Sequence, residues 1–344
     1  MGSETLLDIA SVICEDQGDI VEGVLICPNP ECLSEYPIID GIPVLVADLR
    51  SYISRQISPI LARTDLSSTI ESLLGDCCGP SSAFDTQRQH LSSYTFDHYG
   101  DMDPQTSGPA VSPGSVLRVL EKGLTATGNV SLGPVIDIGC SVGRTSFALA
   151  ETVDDVILGV DLNFDMLRTA GRILRHGLVR YPLRRVGMVY DRREFAASFP
   201  GAHNVDFWAC DATALPFAAE SFSLAVSLNL LDCVSSPYDH LLTLTRILKP
   251  GAKAIICTPF DWSVAATPME SWLGGHSQRT ETRGASEVML RTLLAKGRHP
   301  QALRTLELES EIFSLPWSVR LHDRSVMQYQ VYLGVVRNER SDNP

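Results

Sequence analysis

The chain has 344 residues, 44% of them hydrophobic, with 41 acidic against 28 basic side chains and a formal net charge of -13. That length accommodates two domains, or one large domain with an appendage. The negative balance argues against a general polyanion binder, whose affinity comes from lysine and arginine neutralising phosphates. No apolar run reaches the length of a membrane span, and "MGSETLLDIASVICEDQ" has acids where a secretory signal needs basic residues. A cytoplasmic chain with no membrane partner is expected. Residues 1–50, with short β-rich runs between Pro and Gly in "VEGVLICPNPECLSEYPIIDGIPVLVADL", predict a small strand-and-turn module. Residues 51–115 predict a helical linker and lid. Helix-like pieces near 53–75 precede the Gly-, Pro- and Ser-rich "GDCCGPSSAFDTQRQHLSSYTFDHYGDMDPQTSGPAVSPGS".

From residue 116 to 344 apolar runs alternate with helical segments. "PVIDIG", "DVILGVD", "VDFWACD", "FSLAVSLN" and "KAIICTP" predict strands, with helices near 143–151, 164–175 and 237–248, the last stopped by Pro250 and Gly251. Runs this apolar fit a mostly parallel, doubly wound α/β sheet covered on both faces. "ESEIFSLPWSVRLH" and "VMQYQVYLGVVR" supply two more strands, expected as an antiparallel pair closing one edge of a seven-stranded sheet. Of the nine cysteines, Cys140, Cys210, Cys233 and Cys257 sit in or beside these runs and read as small core residues in a reducing compartment.

The first of these strands enters "VIDIGCSVGRTS", Val135 to Ser146. Ligands of such sheets lie beyond the carboxyl ends of the strands, which makes this loop a prime candidate site. It is not a P-loop, because Arg144 and Thr145 stand where Gly-Lys is needed. Nor is it G-x-G-x-x-G, since Ser141 occupies the place of the middle glycine that lets a pyrophosphate approach the backbone. What remains is Asp-x-Gly-x-x-x-Gly, carried by Asp137, Gly139 and Gly143.

"VIDIGCSVGRTSFALA" resembles the first motif of class I S-adenosylmethionine-dependent methyltransferases, with Ser141 departing at the middle glycine. The resemblance continues in register. Asp161 ends "VILGVD" 18 residues past Gly143, where the family has an acid for both ribose hydroxyls, with Leu162 beside it. Asp211 in "WACDATALPF" takes the place of the acid facing the adenine amino group, with the Ala212 NH at the ring. "SLNLLDCV" resembles the segment under the cofactor and puts Asn229 near the methyl group, and "ILKPGAKAIICTP" resembles the turn into the fifth strand. The resemblance thus implies S-adenosyl-L-methionine as cofactor, held by Asp137, Gly139, Cys140, Ser141, Gly143, Asp161, Leu162, Asp211, Ala212 and Asn229. It implies methyl transfer, with Asp137 and the loop amides at the methionine end. Taken singly, Asp161 or Asp211 would read as a helix N-cap.

Three regions outside these motifs bear on a small-molecule acceptor. Tyr94, His98 and Tyr99 in "SSYTFDHYGDMDP" are expected to fold over the cofactor as a lid, against the alternative of core packing. "CTPFDWSVAATPMESWLGGHSQR" occupies the substrate position after the fifth strand. In "LPWSVRLHDR" strand alternation would set Ser318, Arg320, His322 and Arg324 on one face, the arginines suited to carboxylates or phosphates and His322 to the role of base. Two patterns in the last two regions, Thr267, Pro268 and Trp272 to Gly275, and Arg320, His322 and Arg324, resemble the methyltransferase domain of ovothiol biosynthesis. That resemblance implies an imidazole or amino-acid-like acceptor.

"LICPNPECLSEYPIIDGIPVLV" resembles the zinc-ribbon-like family that includes activator subunits of tRNA and protein methyltransferases. Cys27 and Cys32 have knuckle spacing and Cys14 is a third candidate ligand, but a fourth is missing, so a degenerate module without metal is expected. The rival functional class is a methyltransferase of RNA or a phosphate-bearing ligand. Its basis is the run Arg168, Arg172, Arg175, Arg180, Arg184, Arg185, Arg192 and Arg193, set against the usual reading of such a run as a solvated face. Nothing in the sequence fixes an oligomeric state.

Overall fold

Alternating β-branched residues at the N-terminus fold into β1 (Asp8–Asp16), β2 (Asp19–Ile26), β3 (Glu35–Ile39) and β4 (Ile42–Pro43), an antiparallel sheet in that order. The computed structural model describes residues 6–339 apart from 17, 40, 47, 56–62, 64, 107–111 and 129–132; the part of the expected linker at 56–62 and 107–111 therefore lies outside the described residues. Helices α1 (Leu49–Arg55) and α2 (Ser68–Cys78) follow the sheet, and Ser67 caps α2 by accepting from the Ile70 amide at 3.2 Å. Val24 and Ile39 of the sheet share one buried cluster with Ile53, Leu66, Ile70, Leu73, Leu74 and Phe84. A sheet this small needs such a partner to bury its apolar face. Accordingly, the chain divides into Met1–Ser92 with Pro182–Arg192, and Ser93–Tyr181 with Arg193–Pro344, rather than at 50 and 115.

The second unit takes the C-terminal turns of α3 (Ala83–Tyr99) and then α4 (Ser115–Thr127). Asp97 joins them: its two carboxylate oxygens accept from the amides of Ser115 and Val116 at 2.7 and 3.0 Å, at the helix end where unpaired NH groups favour an anion. Next come β5 (Val135–Ile138), α5 (Arg144–Ala150), β6 (Ile157–Asp161) and α6 (Phe164–His176). The chain continues through β7 (Leu178–Val186), β8 (Val189–Ala196), β9 (Val205–Ala209), β10 (Phe222–Leu228), α7 (Pro237–Ile247) and β11 (Leu248–Thr258). It ends with α8 (Ser286–Leu294), β12 (Leu306–His322) and β13 (Ser325–Asn338). The large sheet has the order β12-β13-β11-β10-β5-β6-β9, parallel from β9 to β11, with β13 antiparallel to both of its neighbours. This is the expected doubly wound, seven-stranded α/β sheet with its antiparallel edge pair.

Two local readings change. The helix before β11 ends at Ile247, and Pro250 and Gly251 fall within β11, where Phe222 and Leu224 pair with Leu248 and Lys253 across an irregularity. Of the arginine run, Arg168, Arg172 and Arg175 lie on α6, and Arg180, Arg184, Arg185, Arg192 and Arg193 lie on the β7-β8 hairpin, a separate two-stranded sheet.

Close approaches and buried polar groups tighten the sheet around the loop after β5. A Cβ on Gly159 of β6 would lie 2.6 Å from the Phe207 ring and 2.8 Å from the Ser146 hydroxyl. His240 of α7 is wholly buried; its Nδ1 donates to the Ala212 carbonyl at 3.2 Å, so Nε2 accepts from the Ser227 hydroxyl at 3.0 Å. Burial pushes His240 down to about 4, only partly offset by the Ala212 carbonyl. Burial, with Arg144 nearby, pushes His98 down to about 3.

Gly159→Ala is expected to overpack Phe207 and displace Ser146, costing roughly 1–3 kcal/mol in urea unfolding. Acidification is the second prediction. Both histidines titrate in the folded chain below the ordinary 6.5, so their stabilising contribution is complete above that pH and is lost as pH falls through it. By pH 5 each should cost roughly 2 kcal/mol. Asp137, raised to about 6 by burial against an ordinary 3.8, has the opposite sign. Its protonation in the folded state returns about 1 kcal/mol over the same interval. Unfolding free energies at pH 7.5 and 5 should therefore fall on acidification, and His240→Gln should remove about half of the histidine part.

Candidate functional site

Strand order reverses between β5 and β10: the chain runs outward from β5 to β6 and β9, then returns to β10 and goes on to β11. Ligands of doubly wound sheets lie at such a switch point, beyond the carboxyl ends of the strands. The loop there contains three left-handed residues, Gly139 (φ 77°), Ser141 (φ 52°) and Gly143 (φ 87°). Gly143 is required twice over, since a Cβ would lie 2.6 Å from the Phe207 ring and 2.9 Å from the Ala170 methyl. Ser141 holds a conformation that costs an L-residue roughly 1–2 kcal/mol. It is fastened on both sides, its amide donating to Asp161 Oδ2 at 2.9 Å and its hydroxyl to the Met166 sulfur at 3.0 Å.

Asp137 is 2% exposed, and its Oδ2 accepts from the hydroxyls of Thr145 and Ser146 at 2.6 and 2.7 Å. Burial raises this carboxyl to about 6 against the pull of those hydroxyls, and Asp161 adds to the rise. Asp137 thus ties the first turn of α5 to β5. Thr145 and Ser146 were not singled out in the sequence, although hydroxyls directly after Gly143 are visible in it. Cys140 is buried, and its amide and that of Gly139 donate to the Val160 carbonyl at 3.1 and 2.7 Å.

Asp161, at the end of β6, binds the loop through Oδ2 and the Asn163 amide through Oδ1 at 2.8 Å. Burial raises its carboxyl, and the amides of Asn163, Ser141 and Leu162 draw it back. Leu162 beside it is 72% exposed, an apolar surface unused by the core. Asp211, just past β9, is exposed; the Thr213 hydroxyl and amide hold it below the ordinary carboxylate value. Ala212 is anchored through its carbonyl by His240. Asn229 (φ 51°) directly follows β10, its amide donating to the Cys257 carbonyl at 2.8 Å.

On the far side of the reversal stand residues that sequence reasoning passed over. Asp232 is 2% exposed and accepts the Asp261 amide on Oδ2 at 2.7 Å, while the Tyr329 hydroxyl donates to Asp261 Oδ2 at 3.0 Å. Phe260, between β11 and Asp261, is left-handed (φ 55°), a strained conformation for a bulky residue. Tyr94 is the expected lid residue that stays exposed. Desolvation of its hydroxyl end pushes the phenol up to about 12, with Cys233, Asp161 and Asp232 adding to the rise.

The rest of the expected lid is core. His98 and Tyr99 are 4% and 0% exposed, and the Tyr99 hydroxyl donates to the Val142 carbonyl at 2.8 Å, so Tyr99 braces the loop from beneath. Trp272 lies against Trp262, with ring centroids 6.3 Å apart, and donates to the Thr267 carbonyl at 2.9 Å. The common face of Arg320, His322 and Arg324 does not form. An irregularity interrupts β12 between Arg320 and His322, the strand ends at His322, and Arg324 is exposed in the turn. Arg320 is buried against Phe96 and pairs with Asp323, and His322 Nδ1 accepts the Arg324 amide at 3.2 Å.

Five of the eight arginines of the run form ion pairs: Arg168 with Asp165, Arg180 with Glu194, Arg185 with Asp191, Arg192 with Glu71 and Arg193 with Asp103. These pairs offset part of the positive charge on which the RNA reading rested. In the N-terminal sheet Cys14 pairs in register with Glu22, Cys27 is buried, and the Cys32 sulfur donates to the Ser34 hydroxyl at 3.2 Å. Among the described residues no group of three or more His, Cys, Asp or Glu is placed to hold a metal, and no helix is long and apolar enough to cross a membrane.

Residues 136–256, from β5 into β11, match the family described as "Methyltransferase domain". Phosphoethanolamine N-methyltransferase 1 of Triticum aestivum is 25% identical over 182 residues, covering 51% of this chain and 32% of that protein. Demethylmenaquinone methyltransferase of Renibacterium salmoninarum is 27% identical over 161 residues, covering 46% of this chain and 55% of that protein. The chain therefore spans between a third and about half of the length of these relatives. A solved S-adenosylmethionine-dependent methyltransferase from Methanosarcina mazei aligns with 62% of this chain and 96% of its own, at 19% identity and a TM-score of 0.42. With the family match covering the glycine loop, Asp161, Asp211 and Asn229 in one stretch, residues 136–256 are a methyltransferase domain of the S-adenosylmethionine-dependent class in a Rossmann-like sheet.

Proposed function

We propose that the protein as a whole transfers a methyl group from S-adenosylmethionine to a nitrogen of a small amine-, imidazole- or amino-acid-like acceptor. The observation that carries this reading is the row of acids at the carboxyl ends of β5, β6 and β9, beside a left-handed loop at the strand-order reversal. The residues suit the cofactor: Asp161 offers a carboxylate for ribose hydroxyls, Asp211 one for an exocyclic amino group, and exposed Leu162 an apolar surface for a base. Asp137 contributes by fixing the loop beside the cofactor through Thr145 and Ser146. Bound there, S-adenosylmethionine supplies an electrophilic methyl carbon.

The remaining work of the chain is positioning and exclusion of water. Asn229 and Tyr94 border the reversal from β10 and α3, and the segment after β11 supplies the acceptor side. The relatives' names, phosphoethanolamine and demethylmenaquinone, support a small acceptor over a nucleic acid. The resemblance to the ovothiol methyltransferase domain supports an imidazole within that class.

Asp161→Ala is expected to weaken S-adenosylmethionine binding by about tenfold or more, as loss of charge-assisted hydrogen bonds requires. Calorimetry on wild type and variant measures it, and unchanged affinity would overturn the placement of the ribose. Labelled methyl transfer should appear with mercaptohistidine or related imidazoles and small amines; absence of transfer to all of them would overturn the acceptor class.

A further inference from the structure

The acceptor side of the reversal carries two carboxylates, Asp232 and Asp261, with no ion-pair partner among the described residues. Asp232 lies four residues past the end of β10 and is 2% exposed. Its Oδ2 is used by the Asp261 amide, while Oδ1 is buried and makes no hydrogen bond among the described residues. Asp261 is exposed, and its Oδ2 receives the Tyr329 hydroxyl. The ladder explains this meeting: Thr258 and Tyr332 are register partners on β11 and β13, and Asp261 and Tyr329 each lie three residues beyond them in the same direction. Among the described residues neither carboxylate forms an ion pair with Lys, Arg or His. Burial raises the Asp232 carboxyl and Asp261 adds to the rise; the Asp261 amide opposes it most, and the Asp232 amide and Thr258 hydroxyl, neither of them in hydrogen-bonding geometry to Oδ1, oppose it less.

A buried acceptor atom without a donor costs roughly 1–3 kcal/mol, so an Oδ1 kept in this state beside a second carboxylate calls for a donor from outside the chain. A protonated nitrogen supplies both the donor and the missing charge. A neutral hydroxyl supplies only the donor, and an anion is repelled.

We propose that Asp232, Asp261 and Tyr329 form a subsite for a protonated nitrogen of the methyl acceptor, which makes the acceptor a small cationic amine or imidazole. The proposal rests on the methyltransferase function proposed above and narrows its substrate class. Asp232 takes the cation through Oδ1, Asp261 balances its charge from the solvent side, and Tyr329 holds the Asp261 carboxylate in place.

The test is calorimetry on the full chain saturated with S-adenosylhomocysteine, titrated with histamine and ethanolamine as cationic probes and with ethylene glycol and sodium glycolate as neutral and anionic controls. At least one cation should bind in the millimolar range or tighter, and the controls should not. Asp232→Asn and Asp261→Asn should each weaken cation binding by about tenfold or more, with S-adenosylhomocysteine affinity unchanged. Because Asp261 is exposed, its variant should fold normally, and Asp232→Asn keeps an oxygen for the Asp261 amide. Binding of neither cation, or equal binding by both variants and wild type, would overturn the subsite. Failure of S-adenosylhomocysteine itself to bind would overturn the methyltransferase proposal instead, and the cation titration repeated without it would still decide the subsite.

Discussion

The reversal of strand order between β5 and β10 is the constraint on which the site depends. The chains leaving these adjacent parallel strands must depart in opposite directions, so neither covers the gap between them. The chain can then place unlike groups on the two sides. Toward β6 and β9 lie the glycine loop, Asp161 and Asp211; toward β11 and β13 lie Asp232, Asp261 and Tyr329. The loop remains open because it is fixed from behind, by Asp137 through Thr145 and Ser146 and by Tyr99 through Val142. These groups are buried, so the ties lie behind the loop, and its own amides at Gly139, Cys140, Ser141 and Gly143 are spent on Val160, Asp161 and Cys140.

Much of this was legible in the sequence, for reasons that differ by element. The strands at β5, β6, β9, β10 and β11 were readable because a sheet covered on both faces demands continuous apolar runs, and the glycine loop because left-handed backbone selects for glycine. Ser141 marks the limit of that logic. Its φ of 52° is held by contacts to Asp161 and Met166, 20 and 25 residues away, which no local pattern reveals. The aromatics at 94–99 were ambiguous because a helix turns successive side chains to different faces: Tyr94 is exposed while Tyr99 is wholly buried.

The residues passed over share one feature. Asp232 and Asp261 are 29 positions apart and Tyr329 is a further 68 away, and only the β10-β11-β13 register brings them together. An isolated Asp in "SLNLLDCV" or "PFDW" reads as a turn residue, since Asp favours turns for its own hydrogen bonding. The face expected from "R-x-H-x-R" failed for the converse reason: alternation holds only while a strand is regular, and β12 is not regular at its tip. The arginine run shows a limit of composition, because charge counted along a chain says nothing of the acids brought alongside some of its members by a hairpin or a neighbouring helix.

The resemblance patterns in the segment after β11 gain a physical meaning through Asp232. Trp272 donates to the Thr267 carbonyl, and the Thr267 hydroxyl reaches the carbonyls of Asp232 and Val234 at 3.1 and 2.7 Å. The backbone of Asp232 is therefore held from one side by the Thr267–Trp272 turn, and its side chain from the other by the Asp261 amide. A carboxylate restrained at both ends has little rotamer freedom left to lose when a ligand arrives, so the ordering cost of binding is met during folding. The same restraint keeps Oδ1 from turning to a solvent partner, which accounts for a buried oxygen that stays without one. Thr267 and Trp272 thus act at one remove, as supports that hold the backbone of Asp232 in place.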